Sequence, residues 1–172
     1  MLVPNSDQTR INTERRRAWL VVRDPFDVQR SWMEDHSIQV VPVPTGGHFS
    51  GSQSDHLADA FRLEGCDHLV AIAVEEMIDD PWIYYLDATT EDIEDFSFTC
   101  GASSFVLLPT ELELPGALCT VNDYALIFGP ITFLERFLFP RTISDARKEF
   151  QEVYESYPSS NRQSLSPALQ YL

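Results

Sequence analysis

A single domain of mixed α and β structure (α+β), with a mixed central sheet covered by helices and two helices at the C-terminal side, is the fold class that this sequence predicts. Two observations predict it. Short apolar, partly β-branched runs suited to buried strands interleave with segments of helical period, without strict alternation and without an internal repeat. Of the 172 residues 44% are apolar, enough to bury one core without disulfide or metal staples.

Residues 1–17 are polar, carry no apolar period and read as a flexible or loosely docked arm, so the globular domain is expected over 18–158. Residues 18–22 (Ala, Trp, Leu, Val, Val) read as a buried strand. Asp24 as a cap and Pro25 in a first turn predict a helix carrying Phe26, Val28, Trp32 and Met33 on one face. Residues 38–43 predict a second strand, ended by Pro42 and Pro44. The glycine- and serine-rich stretch 45–54 predicts a loop, and 55–63 a helix with Leu57, Ala60 and Phe61 inward and Gly65 as its stop. Residues 68–74 and 82–86 predict strands, and 90–96 a short acidic helix capped by Thr89. Residues 105–108 and 124–128 predict two more strands. Pro130 opens a helix with Phe133, Leu134, Phe137 and Leu138, and Thr142 caps another in which Ile143, Ala146, Phe150, Val153, Tyr154 and Tyr157 follow a period of about 3.6 residues. Pro158 ends it, and the polar stretch 159–172 reads as a tail unless Leu169, Tyr171 and Leu172 dock back.

Charge is distributed unevenly. The net charge is -15, and between Arg62 and Arg136 there is no lysine or arginine, while the interval carries fifteen acids. The twelve acids outside it match the twelve bases, so the excess belongs to the middle of the chain. Scattered acids alone would serve solubility. An unbalanced acidic surface also attracts a cationic partner and speeds its capture. Nucleic acid and anionic membranes both need basic patches and are disfavoured as ligands. No run approaches the roughly 18 apolar residues of a membrane span. The run after residues 15–17 is too short for a signal-peptide core, and the arginine triplet lacks the rest of a twin-arginine signal, so a cytoplasmic location is expected.

Tests for chemistry return no catalytic residue, cofactor site or metal site. Gly46 and Gly51 have the glycine spacing of a phosphate-binding P-loop, but Ser52 and Gln53 stand where lysine and a magnesium-binding hydroxyl are required. His48, His56, Cys66 and His68 match no zinc spacing. Cys66, Cys100 and Cys119 form no C-x-x-C pair and read as small buried side chains, and Ser103 and Ser104 do not complete a nucleophile elbow. Carboxylate pairs are plentiful, but an acidic solvated face explains them without catalysis.

A protein-binding surface fits better. Acids and aromatics mix at Glu75, Glu76, Asp79, Asp80, Trp82, Tyr84, Tyr85 and Asp87, and again at Glu91, Asp92, Glu94 and Asp95 leading to Phe96 and Phe98. Aromatic side chains give contact area at low entropic cost, while flanking acids steer a basic partner into register. The competing reading is that Trp82, Tyr84, Phe96 and Phe98 are core, since alternation along a strand turns only every second side chain outward.

Asp123, Tyr124, Ala125, Leu126, Ile127, Phe128, Gly129 and Pro130, followed by Phe133, Leu134, Glu135, Ile143, Ala146, Glu149 and Phe150, carry a resemblance. The segment resembles a strand, Gly-Pro turn and helix pair of small immunity proteins from bacterial polymorphic toxin systems, such as contact-dependent inhibition and type VI secretion cassettes. It transfers no functional residue, because immunity proteins of one fold bind different toxins through different surfaces. The resemblance implies a cytosolic antidote that blocks a cognate toxin domain stoichiometrically, with a basic enzyme such as a nuclease as the toxin. Two other readings fit the same residues: a small regulatory interaction domain with another partner, and an enzyme of unrecognised type.

Overall fold

The computed structural model describes residues 5–46, 48–74, 82–100, 103–111 and 115–172. In chain order these form α1 (Gln8–Val21), β1 (Val22–Asp24), β2 (Asp27–Val28), α2 (Arg30–His36), β3 (Gln39–Pro44), α3 (Ser52–Leu63), β4 (His68–Ala73), β5 (Ile83–Asp87), α4 (Thr90–Cys100), β6 (Phe105–Pro109), β7 (Gly116–Cys119), β8 (Tyr124–Gly129), α5 (Ile131–Leu138), α6 (Ile143–Ser156), α7 (Arg162–Leu165) and a 3-10 helix (Ser166–Tyr171). Strands β1 and β2 make a hairpin, and the other six form one sheet in the order β3-β8-β7-β6-β4-β5. Every pairing in it is antiparallel.

Helices cover both faces of this sheet, which explains why its inner strands read as unbroken apolar runs. Alternate residues of a strand point to opposite faces. Ala125 and Ile127 of β8 and Phe105 and Leu107 of β6 pack with Leu57 and Phe61 of α3, Ile93 and Phe96 of α4, and Phe133 and Phe137 of α5. Tyr124, Leu126 and Phe128, with Val106 and Leu108, pack on the other face with Ile11, Ala18 and Val21 of α1 and Trp32 of α2. Each fully buried side chain of this size contributes about 1.5–3 kcal/mol. Helix α6 packs against β3 and serves both sides, placing Ala146 in one cluster and Phe150 in the other. A full capping box fixes its start: Thr142 accepts from the Asp145 amide while Asp145 accepts from the Thr142 amide.

The sheet edges are blunted. Thr45 N donates to Asp123 O at 2.8 Å, so by ladder alternation Pro42 and Pro44 turn their main-chain groups away from β8. Neither proline has an N–H to offer an added strand, and Gln53 Nε2 donates to the Pro44 carbonyl at 2.9 Å. On β5, Ile83 O accepts from Asn5 N at 2.9 Å, Asp87 O accepts from Thr89 N at 2.8 Å, and Asp87 N donates to Asp92 Oδ2 at 2.9 Å. Tyr85 is left as the one residue of β5 whose outward main-chain N–H and C=O are both unpaired among the described residues.

Four segments differ from the sequence expectation. The expected arm over 1–17 is corrected from Gln8 onward, where the chain is the body of α1, started by Asp7 accepting from Thr9 N at 2.9 Å. Of the expected strand 18–22, residues 18–21 are the end of the same helix and Val22 alone is in a strand, because a short apolar run does not by itself separate strand from helix. The helix expected after Pro25 starts instead at Arg30: Asp24 Oδ1 accepts from Phe26 N at 2.9 Å, which makes a turn between β1 and β2 rather than a helix cap. Strand β7 was not anticipated and lies between β6 and β8.

The tail expected over 159–172 docks. Leu165, Ala168 and Tyr171 are buried in the α1 cluster. The Tyr171 hydroxyl donates to Asp27, a carboxylate only 2% exposed that also accepts from Gln170 Nε2 at 2.9 Å and faces Arg23 at 2.7 Å. Burial first, and the Asp27 carboxylate second, push the Tyr171 phenol well above its ordinary range, so it stays a neutral donor.

Two consequences are measurable by urea unfolding. A Cβ on Gly116 would lie 2.4 Å from the Phe128 ring and 2.9 Å from the Leu107 carbonyl oxygen, so Gly116→Ala is expected to cost about 1–3 kcal/mol. Tyr171→Phe removes a donor from a buried carboxylate and is expected to cost about 1–3 kcal/mol, with earlier proteolysis beyond Pro158; an undocked tail would show neither.

Candidate functional site

The surface with most unmatched charge is built by β5, the turn after it and α4. Thr89 starts α4: its Oγ1 accepts from Asp92 N at 3.2 Å, and the Asp92 carboxylate reaches back to the Asp87 amide. The acids of the first turn, Glu91 and Asp92, sit where the helix dipole favours negative charge. Ile93, Phe96 and Ser97 face inward, and the Ser97 hydroxyl accepts from Phe49 N at 2.7 Å, tying α4 to the loop before α3.

Strand alternation divides the sequence-predicted site. Trp82 and Tyr84 turn beneath α4 into an aromatic cluster, with Trp82 5.5 Å from Tyr84 and 5.6 Å from Phe96, and Phe96 4.8 Å from Phe105. Both are half-buried there and serve packing first. Tyr85 and Asp87 point to the other side, Tyr85 toward Arg10, Glu14 and Arg17 of α1. Glu91, Asp92, Glu94 and Asp95 are brought together on α4, whereas Glu75, Glu76, Asp79 and Asp80 lie outside the described residues.

These acids differ in what they already hold. Asp87 Oδ1 is 2.8 Å from His68 Nδ1, both side chains being exposed. Asp92 is occupied as the cap, and Glu94 accepts from the Gly51 amide. Asp55, at the start of α3, accepts from Thr90 Oγ1 at 2.8 Å. Among the described residues, no hydrogen bond or ion pair engages the Glu91 or Asp95 carboxylate, and no lysine or arginine pairs with any acid of α4. Several cations pair elsewhere: Arg62 and Arg136 on Asp59, Arg17 on Glu14 and Arg141 on Glu149.

Phe98 is an aromatic of this segment that the sequence pattern alone does not single out as a binding residue. It is 80% exposed, the most exposed large apolar side chain among the described residues, and packs edge-on against His48 at 5.7 Å. The signal that locates it is helical phase: Phe98 is five residues past the inward Ile93 and two past the inward Phe96, on the solvent side.

The Gly51 amide, part of the loop with P-loop-like spacing, is turned to the Glu94 carboxylate, so the protein's own anion stands at the start of α3. Among the described residues no group of three or more His, Cys, Asp or Glu side chains has metal-binding geometry. A cavity of about 320 Å³ between α1 and α2 is lined by Leu20, Val21 and Trp32 with Arg17, Ser31, Asp35 and His36, on the sheet face opposite α4. His36 Nδ1 there bonds the Trp32 carbonyl at 2.8 Å. No helix of the described residues is long and apolar enough to cross a membrane.

The thiols are held in their unreactive form. Burial pushes Cys100 up to about 11 and Cys119 up to about 12, and burial together with Glu64 and Asp67 raises Cys66. Only the thiolate is nucleophilic. With raised values the thiolate is scarce at neutral pH and grows as pH rises, so Cys100 in the folded protein is expected to react with a thiol reagent at pH 8 about a hundredfold more slowly than after unfolding in urea. Comparison with known proteins returned no matching family model, no similar curated protein and no similar solved structure.

Proposed function

We propose that this chain is a cytoplasmic antidote that binds a basic toxin enzyme and blocks it by stoichiometric contact. The observation that carries the reading is the unmatched acidic surface of α4 and the end of β5, where, among the described residues, Glu91 and Asp95 have no cation and the partners of Asp87 and Glu94 are a histidine and an amide. A protein built only for solubility has no need to segregate its bases from one helix so completely. That the partner is a toxin is what the resemblance of residues 123–150 to immunity proteins implies. The strand, turn and helix pair of that resemblance correspond to β8, Pro130, α5 and α6.

The mechanism is electrostatic docking over a cationic substrate groove. Charges at the rim govern encounter rate and salt dependence, while desolvated apolar contacts hold the complex. Burying an ion pair is not automatically favourable, so the exposed carboxylates supply steering and register rather than most of the affinity. The blunted sheet edges favour contact through side chains over strand addition.

The test is co-expression with the open reading frame adjacent to the gene. Growth rescue together with a co-purifying complex supports the antidote reading. In that complex, charge reversal at Glu91 and Asp95 is expected to slow association by roughly tenfold at low salt and by much less at high salt, read by stopped-flow mixing. A harmless neighbour with no complex removes the antidote reading and leaves a regulatory interaction domain as its replacement.

A further inference from the structure

The outer face of α4 has a composition that the basic-partner reading does not require. Glu91, Asp95 and Phe98 stand at i, i+4 and i+7, which at about 100° per residue places all three within roughly 60° of arc, over about 10 Å of helix. None of them contributes to the core, which α4 serves through Ile93, Phe96 and Ser97. Phenylalanine is a mediocre helix former, so an 80% exposed one is not there to stabilise the helix. A single exposed apolar side chain is ordinary on a protein surface. This one ends a row of unpaired carboxylates and is flanked by the His48 ring.

We infer that α4 binds an arginine-bearing segment of the partner, with a guanidinium stacked on Phe98 and its N–H edge directed to Asp95; this rests on the proposal that the partner is basic. The chemistry selects arginine over lysine. A guanidinium is planar, stacks on an aromatic face and keeps its in-plane donors free for a carboxylate, whereas an ammonium is a strongly hydrated point charge with no plane to stack, so it gains less from an exposed ring. Glu91, one turn before Asp95, extends the acidic row for a second cation of an extended segment. Glu94, half-buried and bonded to the Gly51 amide, holds α4 against the α3 loop and fixes the face rather than offering itself to the partner.

The experiment uses the full chain, isotope-labelled for amide NMR, titrated at low ionic strength with a nona-arginine and a nona-lysine peptide. The expected result is that amide shifts for the arginine peptide centre on Phe98, His48 and Asp95. Phe98→Ala and Phe98→Leu should each weaken that peptide about threefold and leave the lysine peptide unchanged, because leucine keeps apolar volume but has no π face. Asp95→Asn should weaken both peptides. Unchanged melting temperatures of the Phe98 variants exclude a folding effect, since the side chain packs on no core residue. Unaltered arginine-peptide affinity in Phe98→Ala, full affinity retained in Phe98→Leu, or shifts centred on His68 and Asp87 would overturn the inference while leaving the basic-partner reading intact. If neither peptide binds, both fall.

Discussion

A strand buried on both faces has no side left for charge, and β6 and β8 are such strands. The rest of the molecule follows from that constraint. One face needs α3, α4 and α5 above it, and the other needs α1, α2 and the docked C-terminal segment. Polar side chains are thereby driven to the ends of the sheet and to the outer surfaces of the covering helices. With no base between Arg62 and Arg136, the charges that α4 carries on its outer surface are acidic alone.

The closed edges restrict how another protein can engage this one. An open sheet edge would accept a strand of almost any sequence, because main-chain hydrogen bonds carry little side-chain information. Here two prolines and α6 guard one edge, and a capping carboxylate with the Asn5 amide guards the other. Recognition is left to side chains, where charge sign and shape discriminate between partners. The same closure protects against pairing between copies of the chain.

Much of the fold was legible in the sequence, and the gaps have physical causes. The runs that became β4, β6 and β8 are apolar throughout because both faces are covered, and the helix starts at Thr89, Pro130 and Thr142 obey ordinary capping chemistry. Helix α1 was hidden because only Ile11, Ala18 and Val21 are buried along it, a stripe too sparse to give a period. Strand β7 was hidden because Gly116 and Ala117 lack the bulk and branching that mark strands; the Phe128 ring fills the space over Gly116 instead. At the surface, composition located the acidic segment, but it could not say that Trp82 and Tyr84 turn inward, that Asp92 is engaged as a cap, or that Phe98 faces solvent. Those follow from phase along a strand and a helix, which depends on where each element begins. The acids over 75–80 lie outside the described residues, so their part in the surface rests on composition.

The contact between Asp27 and Tyr171 joins residues 144 positions apart. During synthesis, the β1–β2 hairpin and α1 therefore emerge long before the segment that completes their cover, and until then Asp27 has only its near neighbours, Arg23 and the Val28 amide, as partners. Until Leu165, Ala168 and Tyr171 are in place, the part of that sheet face on which they pack stays uncovered and prone to aggregation, while α1, α2 and Phe150 cover the rest.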